Sequence, residues 1–193
     1  LGWRAMSREK RLVYVPADVL EDVMRASRRR GESVSKFVEE TLKQAVRINH
    51  LGSSPEHAAE LLQVVQAQKI LGGAFVPLEV LNYLTSKAYK DEKDELQAKW
   101  YESGKWHGRY LKEKFETPVQ VFKGFLEATR WDLGEVEVRQ GENTVKLRCV
   151  STVLTAEGTV LLAKFIEGAM HSMGYQTEKS DCVKGMVVLE FKR

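Results

Sequence analysis

The sequence predicts an α+β protein built in at least two parts, and three observations predict it. The last hundred residues run helix, two alternating strands, helix, two alternating strands, which is the order of a helix-covered, mainly antiparallel sheet. The first fifty hold a short alternating segment that stops at Pro16 and leads into two helical patterns split by Gly31. Charge divides the same way: residues 1 to 50 carry 11 Lys and Arg against 7 Asp and Glu, while the other 143 of the 193 residues carry 19 against 20. An apolar content of 43% is enough for a real core. Two unpaired-looking cysteines, Cys149 and Cys182, argue against a disulfide framework and fit a reducing, cytoplasmic compartment. No run approaches a membrane span and no signal peptide stands out, so no membrane partner is expected.

The first element is a strand over Arg8 to Val15, ended by Pro16, which lacks a donor. Val13 and Val15 face one side; Lys10, Leu12 and Tyr14 face the other. So short a strand needs a mate, and none lies nearby in sequence. The same strand from a second copy supplies one, and a two-stranded ribbon fits the DNA major groove. Pro16 then opens a helix with a Val19, Leu20, Val23, Met24 stripe and arginines 25, 28, 29 and 30 at its C-terminal end, where they complement the helix dipole. Gly31 is placed for a left-handed helix stop and Ser33 for the next N-cap. Val34, Phe37, Val38, Thr41, Leu42 and Ala45 give the second helix its apolar face. Its first turn, with Ser33, Ser35 and Lys36, is a ready phosphate site.

Residues 8–48 thus resemble the ribbon-helix-helix family of DNA-binding proteins. The resemblance implies an intertwined dimer in which Lys10, Leu12 and Tyr14 face the bases. It implies phosphate contacts from Ser33, Val34 and Ser35, with Arg8 and Lys36 adding charge. Leu12 and Tyr14 depart from the polar residues usual at such positions. Sequence-specific readout, nonspecific DNA binding and dimerisation alone all remain open readings of that face.

Residues 49–91 read as a helical connector. Ser54 and Pro55 start a helix that Gly72-Gly73 stops, and Pro77 starts another that ends in the charged 91–94 stretch. The 55–71 helix either pairs across a dimer or packs on its own C-terminal domain.

Residues 92–193 open with a long helix carrying Gly104 and Gly108 four apart, where some close contact must offset the cost of mid-helix glycine, about 1 kcal/mol each. Thr117-Pro118 caps another helix. Strands follow at 134–140 and 144–150 around a Gly141-Glu142-Asn143 turn, then a helix at 157–173, then strands at 175–182 and 186–191 around Lys184-Gly185. This order resembles the vinyl-reductase-type sensor domain, whose fold is shared with subunits of the transport-particle tethering complex. The matching segments are Glu102 to Gly108, Gly134 to Val138, Phe165 to Gly168 and Cys182 to Gly185. The resemblance implies a small apolar ligand in a pocket between helices and sheet, with Trp100, Trp106, Tyr110 and Phe165 as candidate lining. Many members of that family hold zinc through several cysteines. Here Cys182 alone matches, the later cysteine's place falls on Leu189 or Glu190, and none lies near Thr159, so no metal is expected.

No Gly-rich phosphate loop, nucleophile elbow or His-Glu-x-x-His occurs, and the four histidines are scattered. No catalytic residue and no cofactor are expected. The composite expectation is a homodimer, or a higher oligomer, that binds double-stranded DNA in the nucleoid and regulates transcription. An architectural DNA-binding protein and a protein-assembly module are its rivals.

Overall fold

The computed structural model describes residues 12–130 and 132–193. The chain divides into two compact units, one through Ala58 and one from Ala59 to Arg193.

In the first unit, Leu12–Pro16 belongs to no strand of the chain's own sheet. Helix α1 is Ala17–Arg29, with Pro16 at its N-cap position and Arg28 and Arg29 in its last turn. Gly31 takes φ +66°, the left-handed conformation its position requires. Ser33 caps α2, Val34–His50, its side chain accepting from the Lys36 N–H at 3.3 Å. The turn between the helices is tied by the Glu32 N–H, which donates to the Ser27 carbonyl at 3.0 Å. Arg30 lies over the Phe37 ring, 5.6 Å from its centroid. Helix α2 ends at His50, inside the stretch read as connector, and Leu51–Ser54 separates it from the next helix.

Helix α3, Pro55–Leu71, begins where the Ser54 side chain accepts from the His57 N–H, and Gly72 ends it with φ +74°. Helix α4 is Leu78–Asp91 and α5 is Lys93–Lys114, separated only at Glu92. Helix α6 is Pro118–Thr129. Thr117 makes no side-chain cap there, and the fixed φ of Pro118 in the first turn is the start signal that remains.

Strands β1 (Glu135–Gln140) and β2 (Thr144–Val150) form the predicted hairpin. Helix α7, Ala156–Met173, is capped by Thr155 and stopped by Gly174 at φ +97°. Strands β3 (Gln176–Val183) and β4 (Met186–Lys192) complete an all-antiparallel sheet of order β1-β2-β4-β3. The fold is therefore α+β, with the sheet at the C-terminal end.

Alternation decides the two faces of that sheet. Val136, Val145, Leu147, Cys149, Val187, Leu189 and Phe191 point inward and are buried against α6 and α7. Outward-facing residues pair across strands: Lys146 with Glu190 at 2.7 Å and Arg148 with Glu135 at 2.8 Å. Helix α7 lies under the sheet with Leu161, Leu162, Ile166, Ala169 and Met170 almost fully buried. Helix α5 crosses α7 at glycines. A Cβ at Gly104 or Gly108 would overlap the backbone carbonyls of Phe165 and Ala169, and one at Gly168 would overlap that of Tyr101. This interlock is the close contact that the glycine spacing predicted.

Candidate functional site

The N-terminal unit has almost no interior of its own. Among described residues 12–58 only Ser27 is buried, its hydroxyl donating to the Met24 carbonyl. Leu12 is 82% exposed and Tyr14 91%; Val19 and Leu20 on α1 and Leu42 and Val46 on α2 are exposed too. The predicted base-facing residues Leu12 and Tyr14 thus stand free of their own chain, while Lys10 and Arg8 lie outside the described residues. Ser33, Val34, Ser35 and Lys36 sit together at the start of α2. Ser33 occupies one backbone donor, and the first-turn N–H groups of Val34 and Ser35 have no intrahelical acceptor. Lys36 is 3.9 Å from Glu40 and Lys43 2.6 Å from Glu39, so α2 balances its own cations along its length.

In the second unit the four predicted lining residues divide. Phe165 is buried, and Trp100 meets it edge-on with ring centroids 6.3 Å apart. Tyr110 is half-buried against the same core. Trp106 lies outside this group: it is 60% exposed, with the Arg109 guanidinium over its ring. The residue that joins Phe165 inside is one the prediction left out. His107 is buried between the rings of Phe125 and Phe165, at 5.1 and 5.0 Å. Its Nδ1 donates to the Ser103 carbonyl at 2.8 Å, which leaves Nε2 as the acceptor of the neutral ring. Burial holds its pKa below the usual histidine value, against the opposing pull of that backbone bond. The signal was present in the sequence: Gly104, His107, Gly108 and Leu111 follow helical spacing on the face that the glycines bury.

A second polar group ties α5 to α7 and β3. The Tyr101 hydroxyl and His171 Nδ1 are 2.8 Å apart, and His171 Nε2 is 2.9 Å from the Thr177 hydroxyl. One turn back on α7, Glu167 is buried and pairs with Lys164 at 2.7 Å. Among the described residues no three His, Cys, Asp or Glu side chains converge as a metal set.

A cleft opens between α4, α5, the start of α7 and the segment after α6. Leu78, Leu81, Trp100, Leu154 and Leu161 give it apolar walls; Asn82, Thr85, Arg130 and Asp132 give it polar ones. Arg130 grips Asp132 through two bonds, Nε at 2.8 Å and Nη2 at 2.6 Å. Sequence reading passed over Asn82 and Thr85 because polar residues three apart on a helix ordinarily mark its solvent face.

No helix among the described residues is long and apolar enough to cross a membrane. Comparison with protein-family models finds no match, and neither does comparison with curated proteins. Among solved structures, a chain from work on the function of heme distortion in the H-NOX family is 13% identical, with a TM-score of 0.37 over 66% of this chain and 81% of that one. A likeness of that degree bears on neither ligand nor function.

Proposed function

We propose that the chain is a homodimeric, non-enzymatic transcription regulator, a ribbon-helix-helix DNA-binding module joined to a sensor domain of the vinyl-reductase type. One observation carries the reading. The first unit presents an extended, proline-ended segment and two helices whose apolar faces its own chain leaves uncovered, with Leu12, Val13, Val19, Leu20, Leu42 and Val46 all exposed. A second copy supplies what covers them: its segment pairs with this one, and its helices close the shared core. The double ridge then offers Lys10, Leu12 and Tyr14 to the major groove, and the start of α2, capped by Ser33, meets a phosphate. Arg28, Arg29 and Arg30 at the end of α1 add positive field. The place of action is then the nucleoid. The C-terminal unit senses a small molecule or a partner protein.

Selection of bound sequences from random DNA tests this. Enrichment of a palindrome supports a two-fold regulator. Binding that is steeply salt-dependent and enriches nothing replaces it with the architectural reading. The exposed Leu12 favours one further reading, a ribbon used for pairing alone. Under it, Lys10→Ala and Tyr14→Ala leave both the dimer and any DNA affinity unchanged.

A further inference from the structure

We propose that the outer face of α4 is a contact surface for α4 of a second copy of the chain, the two helices running antiparallel across a two-fold axis. The inference rests on the pairing proposed for the first units, which brings two such faces together. Helix α4 is apolar on both sides. Leu78, Leu81 and Thr85 turn inward, where the helix packs on α5 and α7. Val80, Tyr83 and Leu84 turn outward and are 47%, 63% and 55% exposed. With Lys87 they fall at i, i+3, i+4 and i+7, the seam of one helix lying along another. A surface helix ordinarily carries charge on that side. Val76, exposed one turn before Val80, lengthens the strip. From Lys93 onward, by contrast, the exposed large apolar residues are Trp106, Val153 and Val183, in three separate places. Scattered residues of that kind need no explanation, but a strip does.

Charge chooses the occupant and its direction. Glu79 stands at the start of α4, and Lys87 and Lys90 stand near its end, all three on one flank of the strip. None of them makes an ion pair among the described residues; Lys87 lies over the Tyr83 ring, 5.8 Å from its centroid. Glu79 cannot reach the lysines of its own helix, because two turns, about 12 Å, separate it from Lys87. A second α4 laid antiparallel about the midpoint of the strip puts the partner's Lys87 and the partner's Lys90 on either side of Glu79, and symmetry repeats the contact. Tyr83 and Leu84 each meet their own counterpart at the axis. Val80 lies along the aliphatic stem of the partner's Lys87. A parallel pair would set glutamate against glutamate and lysine against lysine. One helix face is small beside the roughly 800 Å² per partner of a standard interface. Pairing of the first units offsets that, because the second face then arrives at an effective concentration on the order of millimolar.

Single cysteines in the full-length chain carrying Cys182→Ser, treated with a short bis-maleimide, test the contact. Leu84→Cys should cross-link to itself at least roughly tenfold faster than Glu127→Cys, an exposed position on α6. Glu79→Cys alone should not exceed that control, whereas Glu79→Cys mixed with Lys87→Cys should exceed it as Leu84→Cys does. Adding Glu79→Lys to Leu84→Cys should slow the reaction to the control rate, and adding Lys87→Glu and Lys90→Glu as well should restore it. Every position changed on α4 is exposed, so these variants should melt with the parent. Leu84→Cys reacting at the control rate in a chain that sediments as a dimer would overturn the α4 contact and leave the pairing of the first units standing. The same rate in a chain that sediments as a monomer would overturn both. Self-cross-linking of Glu79→Cys as fast as that of Leu84→Cys would mean parallel helices, and a charge reversal that restores nothing would mean that these charges do not face one another; either overturns the antiparallel pair. Faster capture of Leu84→Cys by Leu62→Cys, exposed on α3, than by itself would overturn it too.

Discussion

Gly104 of α5 rests against the carbonyl of Phe165 in α7, so closely that a Cβ there would overlap the oxygen and sit 3.1 Å from the Ala169 nitrogen. The contact is backbone on backbone, and neither helix can yield by turning a side chain. Gly104→Ala should therefore destabilise the C-terminal unit by about 2 kcal/mol or more, despite alanine's better helix propensity. Gly168→Ala, facing the Tyr101 carbonyl from the other side, should do the same. Urea denaturation followed by near-ultraviolet circular dichroism checks both. Midpoints equal to that of the parent would mean that the helices stand further apart than this crossing requires.

That crossing is also the clearest case of fold legible in sequence. Two glycines four apart inside a strong helix pattern have few explanations other than a close neighbour. The hairpin at 135–150 and the turn at Lys184-Gly185 were equally readable, because alternation and glycine report local geometry. Tertiary satisfaction was not readable. Thr117-Pro118 has a capping pattern, yet Thr117 makes no cap bond. Trp106 shares a helix with Trp100, but helical spacing points it to solvent while Trp100 reaches Phe165. Asn82 and Thr85 look like surface residues in the sequence, and only the fold brings them to one cleft with Arg130 and Asp132.

His107 makes stability depend on pH. Its folded pKa lies below the usual 6.5 because burial among the phenylalanine rings penalises the charged form. Between the two values the unfolded chain binds a proton that the folded chain refuses. Stability is thus complete above about pH 6.5 and falls as the pH drops through that value. The loss is at most about 1.4 kcal/mol per pH unit and stops once the folded imidazole protonates as well. His171, also lowered by burial, contributes in the same direction. In His107→Phe the proton dependence of unfolding between pH 5 and 7 should fall, by at most about one proton, read from denaturation midpoints across that range. An unchanged dependence would assign all of it to other groups.

The two thiols should separate cleanly. Cys149 points into the sheet core, and desolvation pushes its pKa up to about 12, with Arg130 opposing and Asp132 adding to the shift. Cys182 on β3 is half-buried, raised mainly by desolvation, with Ser180 within 3.8 Å pulling the other way. Thiolate is the reactive form. A disulfide reagent at pH 8 should label Cys182 in the native chain and reach Cys149 only on unfolding. Mass spectrometry of the labelled peptides reads the order directly, and native labelling of Cys149 would mean that the β2–α7 core opens readily.

Leu42 distinguishes a chain that works alone from one that works in pairs. It lies on the same apolar face of α2 as Phe37, Val38 and Ala45, yet it is 57% exposed within its own subunit, and Val46 one turn on is 54% exposed. If the first unit acts by itself, Leu42→Glu is a surface change on a helix and should move stability by less than about 0.5 kcal/mol. If two copies share a core through this face, the substitution places two carboxylates inside it and removes two leucines. At about 1.5 to 3 kcal/mol for each buried leucine, that is at least about 3 kcal/mol per dimer before any charge is counted. Sedimentation over a hundredfold range of concentration should then show the parent as a dimer and the variant dissociating at least roughly a hundredfold more readily. DNA affinity should fall with it, because a single ribbon strand has no mate to hold it in the groove. The neighbouring exposed charge Lys43, already paired with Glu39 on the outer side of the same helix, is the internal control. Lys43→Glu should leave association intact, and a variant that dissociated as readily would mean that the effect is one of charge rather than of a shared apolar face.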